Sequence, residues 1–124
     1  MTTVLVADDD ADIRELVAFK LSQSGYEVVP VPDGVAALDA VRDHRPDLVV
    51  LDLMMPGLSG LDVCAELRRA PETASLPVIV LTAKAQEHDV AIGFATGADD
   101  YVVKPFSPRE LVSRVQAVLA RAGS

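Results

Sequence analysis

The chain has 124 residues and a formal net charge of −8; half of its residues are hydrophobic and 24% are charged. This length suits one domain, which we expect to extend over residues 1–124. The negative charge argues against direct binding to nucleic acid, whose phosphates would repel the protein. The apolar stretches are too short to cross a bilayer and no signal-peptide pattern is visible, so we expect a cytoplasmic protein without a membrane partner.

Strand-like and helix-like segments alternate five times along the chain. The first strand is predicted from Thr3 to Ala7 and the first helix from Ala11 to Ser24, with Gly25 as its C-terminal stop. The apolar residues at helical spacing on one face of this helix are Ile13, Leu16, Val17 and Leu21. The second strand, YEVVPV, is predicted near a sheet edge because Pro30 cannot donate a ladder hydrogen bond.

The same alternation continues through the second half of the sequence. Asp33 is predicted to cap the second helix, which ends before Pro46. The next elements are a strand at Asp47–Leu51, a helix at Leu61–Arg69, a strand at Val78–Leu81, a helix at Gln86–Thr96 and a strand at Asp100–Val103. Ser107 and Glu110 form a capping-box pattern for a last helix that ends near Arg121.

Five strand–helix units with short connections predict an α/β fold with a five-stranded parallel sheet and helices on both faces. The expected architecture is flavodoxin-like, (βα)5, with strand order 2-1-3-4-5 and a switch point between the first and third strands. Cys64 lies on the apolar side of the third helix, and we interpret it as a small core residue.

Polar side chains follow four of the apolar runs. They are Asp8, Asp9 and Asp10 after VLVA, Asp52 after LVVL, Thr82 after VIVL and Lys104 after YVV. Ligands of parallel sheets bind beyond the carboxyl ends of the strands, so these side chains are expected to form a site. Carboxylates are ligands for Mg²⁺, and the Asp52 carboxylate is placed to attack a phosphorus atom. The Lys104 ammonium suits pairing with a carboxylate and then with a phosphoryl group, and the Thr82 hydroxyl suits donation to a phosphoryl oxygen.

Each of these residues also has a simpler interpretation. One of the three consecutive aspartates suits the N-cap of the first helix. Asp52 could cap the following turn, Thr82 could cap the following helix, and Lys104 could extend to solvent. Tyr101 fits a half-buried aromatic residue on an edge strand. The joint placement at one edge of the sheet favours a site.

Four segments, VLVADDDADI, LVVLDLMMPGLSG, VIVLTA and GADDYVVKPFSPREL, resemble the receiver domain of two-component response regulators over essentially the whole chain. The resemblance implies that Asp52 is the phosphoacceptor and that a sensor histidine kinase donates the phosphoryl group. It also implies Mg²⁺ as the cofactor, held by Asp8, Asp9, Asp52 and the main-chain carbonyl of Met54.

The resemblance also assigns the residues that respond to phosphorylation. Thr82 and Lys104 match the switch hydroxyl and lysine of the family, and Tyr101 matches its aromatic switch residue. A cis peptide bond is expected at Lys104–Pro105. The side chains of Met54 and Lys84 stand at the family positions that are thought to set the lifetime of the phosphoryl group.

The end of the chain is most similar to receivers that precede winged-helix DNA-binding domains. Asp100, Glu110 and Arg114 match charges with which those receivers dimerise, through the face made by the fourth predicted helix, the fifth strand and the last helix. Val90 and Ala95 replace a basic and an acidic residue that are usual there. The implied function is a phosphorylation-dependent switch that regulates transcription and catalyses only its own phosphotransfer and slow autodephosphorylation.

Two other functions remain open from the sequence. One is a Mg²⁺-dependent phosphatase with an aspartyl nucleophile, although Met54 stands where such enzymes carry a second acid. The other is an interaction module, stand-alone or with a vestigial site. The complete set of site residues favours the receiver function over both.

Overall fold

The structure is a computed structural model and describes residues 1–83 and 97–122. Its central sheet consists of β1 (Thr3–Ala7), β2 (Glu27–Val31), β3 (Leu48–Asp52), β4 (Val78–Ala83) and β5 (Asp100–Lys104). All four strand pairings are parallel, and the order is β2-β1-β3-β4-β5. The predicted sheet and strand order are confirmed, and β2 with its Pro30 lies at an edge.

Four helices connect and cover the strands in the described parts of the chain. They are α1 (Ala11–Gln23), α2 (Gly34–His44), α3 (Gly60–Arg69) and α4 (Pro108–Ala122). The helix predicted at Gln86–Thr96 lies outside the described residues. Among the described residues, no helix has the length and apolar character needed to cross a membrane.

Side-chain caps fix where the helices begin. Asp10 Oδ1 accepts hydrogen bonds from the first turn of α1, and Asp33 Oδ1 accepts one from the Ala36 N–H at 2.8 Å. The Ser107 hydroxyl accepts from the Glu110 N–H at 3.0 Å, which is one half of the predicted capping box. A full capping box between Ser59 and Asp62 begins α3 and was not predicted.

Two hydrophobic cores lie on opposite faces of the sheet. One is built on α2 and α3 and includes Cys64, as predicted; the other is built on α1 and α4. Within α1, Val17 and Leu21 are buried and Ile13 packs against them. The prediction that Leu16 shares this face is wrong, because Leu16 is 47% exposed. Ile13, Val17 and Leu21 are four residues apart, whereas Leu16 lies about 100° around the helix from Val17.

Strands β3, β4 and β5 extend further than the apolar runs that predicted them, because ladder hydrogen bonds do not depend on side-chain polarity. They include Asp52, Thr82 and Lys104. Successive strand residues alternate between faces. Asp8, Asp52 and Lys104 each follow by two positions a valine of the α1–α4 core, namely Val6, Val50 and Val102. The strand period therefore directs these three charged side chains to one corner of the sheet.

Candidate functional site

Three carboxylates meet at the switch point between β1 and β3. Oxygen atoms of Asp8, Asp9 and Asp52 all lie within 4.8 Å of one another. Asp8 and Asp52 are almost completely buried, and Asp9 is exposed. Hard oxygen ligands with one open side suit Mg²⁺, which retains several waters and takes one or two carboxylates from a protein. The donor set thus fits the predicted cofactor.

Lys104 supplies the positive charge of the site. Its Nζ lies 3.3 Å from Asp8 Oδ2 and 3.3 Å from Asp52 Oδ2. The prediction that Lys104 pairs with carboxylates is confirmed in geometry, and its side chain is mostly buried rather than extended to solvent. The Lys104–Pro105 peptide bond is cis, as expected from the resemblance.

The charges at this corner change the acidity of both partners. Burial, together with the charge of Asp8, raises the pKa of Asp52 from 3.8 to about 7, although Lys104 opposes the shift. Burial alone would lower the pKa of Lys104, but the charges of Asp52 and Asp8 outweigh burial and raise it. Asp52 is therefore a carboxylate whose ionised form needs more positive charge than Lys104 provides.

The three aspartates of the loop after β1 differ in the contacts that they make. Asp10 caps α1, while its own N–H donates to Asp8 Oδ1 at 2.9 Å. Arg14, one turn into α1, donates from Nη1 to the main-chain carbonyl of Asp8 at 2.8 Å. The expectation that one of the three aspartates caps the helix is confirmed for Asp10. Arg14 was not singled out from the sequence; its only signal is a cation six positions after Asp8.

Asp52 also makes the turn contact that its simpler interpretation predicted. Its Oδ1 accepts a hydrogen bond from the Met54 N–H at 3.2 Å, while its Oδ2 faces Lys104. The Met54 side chain is exposed. One carboxylate thus has an oxygen fixed by the loop and an oxygen beside the cation. The role of the Met54 carbonyl in binding a metal stays a prediction.

Thr82 and Tyr101 lie on the other face of the sheet. Thr82 is buried within β4, and its hydroxyl donates to the Ala83 carbonyl at 3.4 Å. Tyr101 is aligned with Val80, two residues before Thr82, and packs against the α2–α3 core. Since Thr82 lies inside a strand, it does not begin a helix at its own position. The switch roles of both residues stay predictions.

The structure describes only some of the residues of the predicted dimer face. Asp100 and Arg114 pair within one chain, at 3.1 and 3.2 Å from Arg114 Nη1 to the two carboxylate oxygens. Glu110 is exposed in the first turn of α4. Val90 and Ala95 lie outside the described residues, so the face as a whole stays a prediction. Lys84, which is predicted to affect the lifetime of the phosphoryl group, also lies outside them.

The order of the strands, the acidic cluster and its lysine define a class of protein. Residues 4–116 match the family model of the response regulator receiver domain, and the chain belongs to this family. A receiver is a phosphorylation-dependent signalling domain, as the sequence motifs predicted.

The curated relatives that the chain matches include DNA-binding and transcriptional regulators. It is 49% identical over 118 residues to the DNA-binding response regulator MtrA of Mycobacterium tuberculosis, covering 95% of this chain and 50% of MtrA. It is 46% identical over 121 residues to the phosphate regulon transcriptional regulatory protein PhoB of Pseudomonas aeruginosa, covering 98% of this chain and 53% of PhoB. The chain thus spans about half the length of the curated relatives it matches. The predicted likeness to receivers of DNA-binding regulators agrees with these names.

Solved structures share the fold closely. The receiver domain of NtrX from Brucella abortus superposes with a TM-score of 0.88 at 34% identity, covering 94% of this chain and 98% of that one. The chemotaxis protein CheY4 of Vibrio cholerae superposes with a TM-score of 0.89 at 33% identity, covering 95% of this chain and 98% of that one.

Proposed function

We propose that this chain accepts a phosphoryl group on Asp52 and transmits the resulting change to an output that regulates transcription. The observation that carries the proposal is the position of Lys104 Nζ, 3.3 Å from both Asp8 Oδ2 and Asp52 Oδ2 in a cluster of three carboxylates. A lone buried acid could serve many purposes. Asp52 shares its lysine with a second carboxylate. Lys104 can therefore contact the Asp52 carboxylate before phosphorylation and the phosphoryl oxygens after it.

The transfer requires an ionised Asp52. One carboxylate oxygen attacks the phosphorus and the bond from phosphorus to the donor nitrogen breaks. The donor imidazole, protonated at its other ring nitrogen, keeps the bonding electron pair and leaves as a neutral base. The Met54 N–H orients one oxygen of Asp52, and Lys104 balances the charge of the incoming phosphoryl oxygens. Positioning and electrostatics carry most of the catalysis in such a step.

Asp8, Asp9, Asp52 and the main-chain carbonyl of Met54 would hold Mg²⁺. When bound, the ion supplies positive charge that offsets the repulsion among the carboxylates and the charge of the phosphoryl oxygens. Arg14 and the Asp10 N–H hold Asp8 in place for this purpose. The exposed Asp9 leaves one side of the cluster open to solvent and donor.

Thr82 and Tyr101 would carry the response. The Thr82 hydroxyl moves from the Ala83 carbonyl toward the phosphoryl group, and Tyr101, on the same face of the sheet, fills the space that this movement opens. Phosphorylation in this way shifts an equilibrium between two arrangements of the chain. Hydrolysis of the acyl phosphate, which the chain itself promotes, resets the switch, and Met54 and Lys84 set the lifetime.

The wider roles are also part of the proposal. The phosphoryl donor is the phosphohistidine of a sensor histidine kinase, and the output acts through an effector that is attached or separate. Residues 1–124 form one receiver domain in the cytoplasm. Phosphorylation promotes a homodimer through the face that includes Asp100, Glu110 and Arg114.

Acetyl phosphate tests the phosphoacceptor step without the cognate kinase. The protein is incubated with acetyl phosphate and Mg²⁺, and intact mass is measured for the wild type and Asp52→Asn. We expect one phosphoryl group per wild-type chain, none on Asp52→Asn, and none on either protein in EDTA. An unmodified wild type would contradict the proposal and favour a vestigial module. Sustained release of phosphate from unrelated esters would favour a phosphatase instead.

A further inference from the structure

The Arg68 side chain, at the C-terminal end of α3, donates hydrogen bonds from all three of its nitrogen atoms. Its Nε and Nη2 donate to the Gly97 carbonyl at 3.1 and 2.7 Å. Its Nη1 donates to the carbonyls of Leu76 and Thr73 at 2.8 and 3.3 Å. Its Nη2 also lies 3.2 Å from Asp99 Oδ2, and its side chain is only 20% exposed. One guanidinium therefore joins the end of α3 to two separate connections.

Both connections lead into the strands that carry the switch residues. The loop with Leu76 enters β4, and residues 97–99 enter β5. Asp99 strengthens the junction, because its Oδ2 accepts from the Val78 N–H and its own N–H donates to the Val78 carbonyl, both at 2.8 Å. Arg68 and Asp99 thus fix the first residues of β4 and β5 relative to each other.

Gly97 is suited to this contact for a steric reason. Its φ is +113°, a conformation that side chains disfavour, and a Cβ placed there would lie 2.7 Å from Arg68 Nε. A larger residue would force the guanidinium away from the Gly97 carbonyl. The close approach therefore depends on the residues at both positions.

We propose that Arg68 is a positioning residue for the phosphorylation switch: by fixing Gly97 and Asp99 it anchors the start of β5, so that a change at the Thr82–Lys104 end reaches Tyr101. This inference rests on the proposed phosphoacceptor function. Its mechanical basis is the register in which β5 runs beside β4, with Tyr101 opposite Val80 and Lys104 opposite Ala83. With its start anchored, β5 cannot absorb a displacement at its other end by sliding along β4.

A residue that only stabilises the fold would behave differently. Its removal would lower stability to the same extent with and without the phosphoryl group. Removal of a positioning residue instead reduces the response of Tyr101 while Asp52, at the opposite end of the sheet, still accepts phosphate. The response of Tyr101 is therefore the decisive readout.

The chain offers a well-matched control and a simple probe. Arg69 is adjacent to Arg68, but its side chain is 71% exposed and pairs with Glu66 one turn earlier in α3. Arg68→Met and Arg69→Met remove the same charge from neighbouring positions. The sequence contains two tyrosines, so ring-labelled tyrosine gives two NMR signals, and Tyr26→Phe assigns them.

Each variant is compared before and after treatment with acetyl phosphate and Mg²⁺, with the Asp52 adduct measured by intact mass on the same samples. We expect the Tyr101 signal to move equally in wild type and Arg69→Met, and by about a third of that or less in Arg68→Met. An equal movement in Arg68→Met, with the adduct formed, would overturn the positioning role and leave the proposed function standing. A wild type without adduct would overturn the proposed function itself.

Hydrogen exchange tests the anchor independently of phosphorylation. In untreated protein, the amides of residues 97–99 should exchange about tenfold faster or more in Arg68→Met than in Arg69→Met. Equal exchange would overturn the anchor whether or not Asp52 accepts phosphate. Should Arg68→Met fail to fold, Arg68→Lys serves instead, because an ammonium group keeps the charge but cannot reach both connections. Wild-type exchange and a full Tyr101 response in Arg68→Lys would likewise overturn the proposal.

Discussion

Asp52 combines burial with a like-charged neighbour, and both raise its pKa to about 7. Because this value exceeds the ordinary 3.8, the folded state binds more protons than the unfolded state between these pH values. The contribution of Asp52 to stability is therefore present below the ordinary pKa and is lost as the pH rises toward 7. The ionised form of Asp52 is therefore unfavourable unless further positive charge binds beside it.

Replacement of Asp52 by Asn should therefore stabilise the metal-free protein at alkaline pH. In EDTA at about pH 8 we expect Asp52→Asn to exceed the wild type by about 1–3 kcal/mol in urea unfolding, and the gap to shrink as the pH falls below 7. Asp43→Asn, at an exposed carboxylate on α2, provides the control and should show no such trend. A wild type that is more stable than Asp52→Asn at about pH 8 would contradict the assigned pKa shift.

Lys104 pairs with both buried carboxylates, so its loss should affect both stability and chemistry. Lys104→Met leaves Asp8 and Asp52 facing each other without a counter-charge, and we expect a loss of about 2–4 kcal/mol at neutral pH in EDTA. Asp52 should still accept phosphate from acetyl phosphate, but more slowly, and the NMR signal of Tyr101 should not move. Lys20→Met on α1 is the charge-matched control, and wild-type switching in Lys104→Met would exclude the assigned role.

At the scale of elements, the loop between β1 and α1 separates capping from metal binding. Asp10 caps α1, whereas Asp9 contributes an oxygen to the carboxylate cluster. We expect Asp10→Ala to lower stability by about 1 kcal/mol and to keep the rise in melting temperature that Mg²⁺ produces. Asp9→Ala should keep its metal-free stability and lose most of that rise. The opposite pattern in thermal melts would reverse the assignment of the two aspartates.

Strands β1, β3 and β4 were predictable because each contains a continuous buried apolar run, and the order of the strands followed from the short connections. The meeting of Asp8, Asp52 and Lys104 was predictable too, since parallel strands end at one edge. The hydrogen bonds that Arg14 and Arg68 donate to main-chain carbonyls were not predictable, because a carbonyl carries no sequence signal. Leu16 was misplaced because spacing alone does not show which side of a wide apolar stripe faces the core.

The whole molecule carries a net charge of −8, so a dimer must offset like-charge repulsion through specific pairs. Asp100 and Arg114, which pair within one chain, would have to exchange partners between two chains. We expect acetyl phosphate with Mg²⁺ to shift the wild type toward a dimer in sedimentation equilibrium, and Arg114→Ala to weaken this dimer by about tenfold. Arg109→Ala, on the same helix, is the control, and a wild type that stays monomeric would refute this dimer.

The central claim is that the phosphoryl group is carried by Asp52, and chemical trapping tests it most directly. Borohydride reduces an aspartyl phosphate to homoserine with release of phosphate, so peptide mapping after acetyl phosphate, Mg²⁺ and borohydride locates the modified residue. We predict homoserine at position 52 and unmodified aspartate at positions 8 and 9. Homoserine at another aspartate, or none in a protein that has gained a phosphoryl group, would contradict the account.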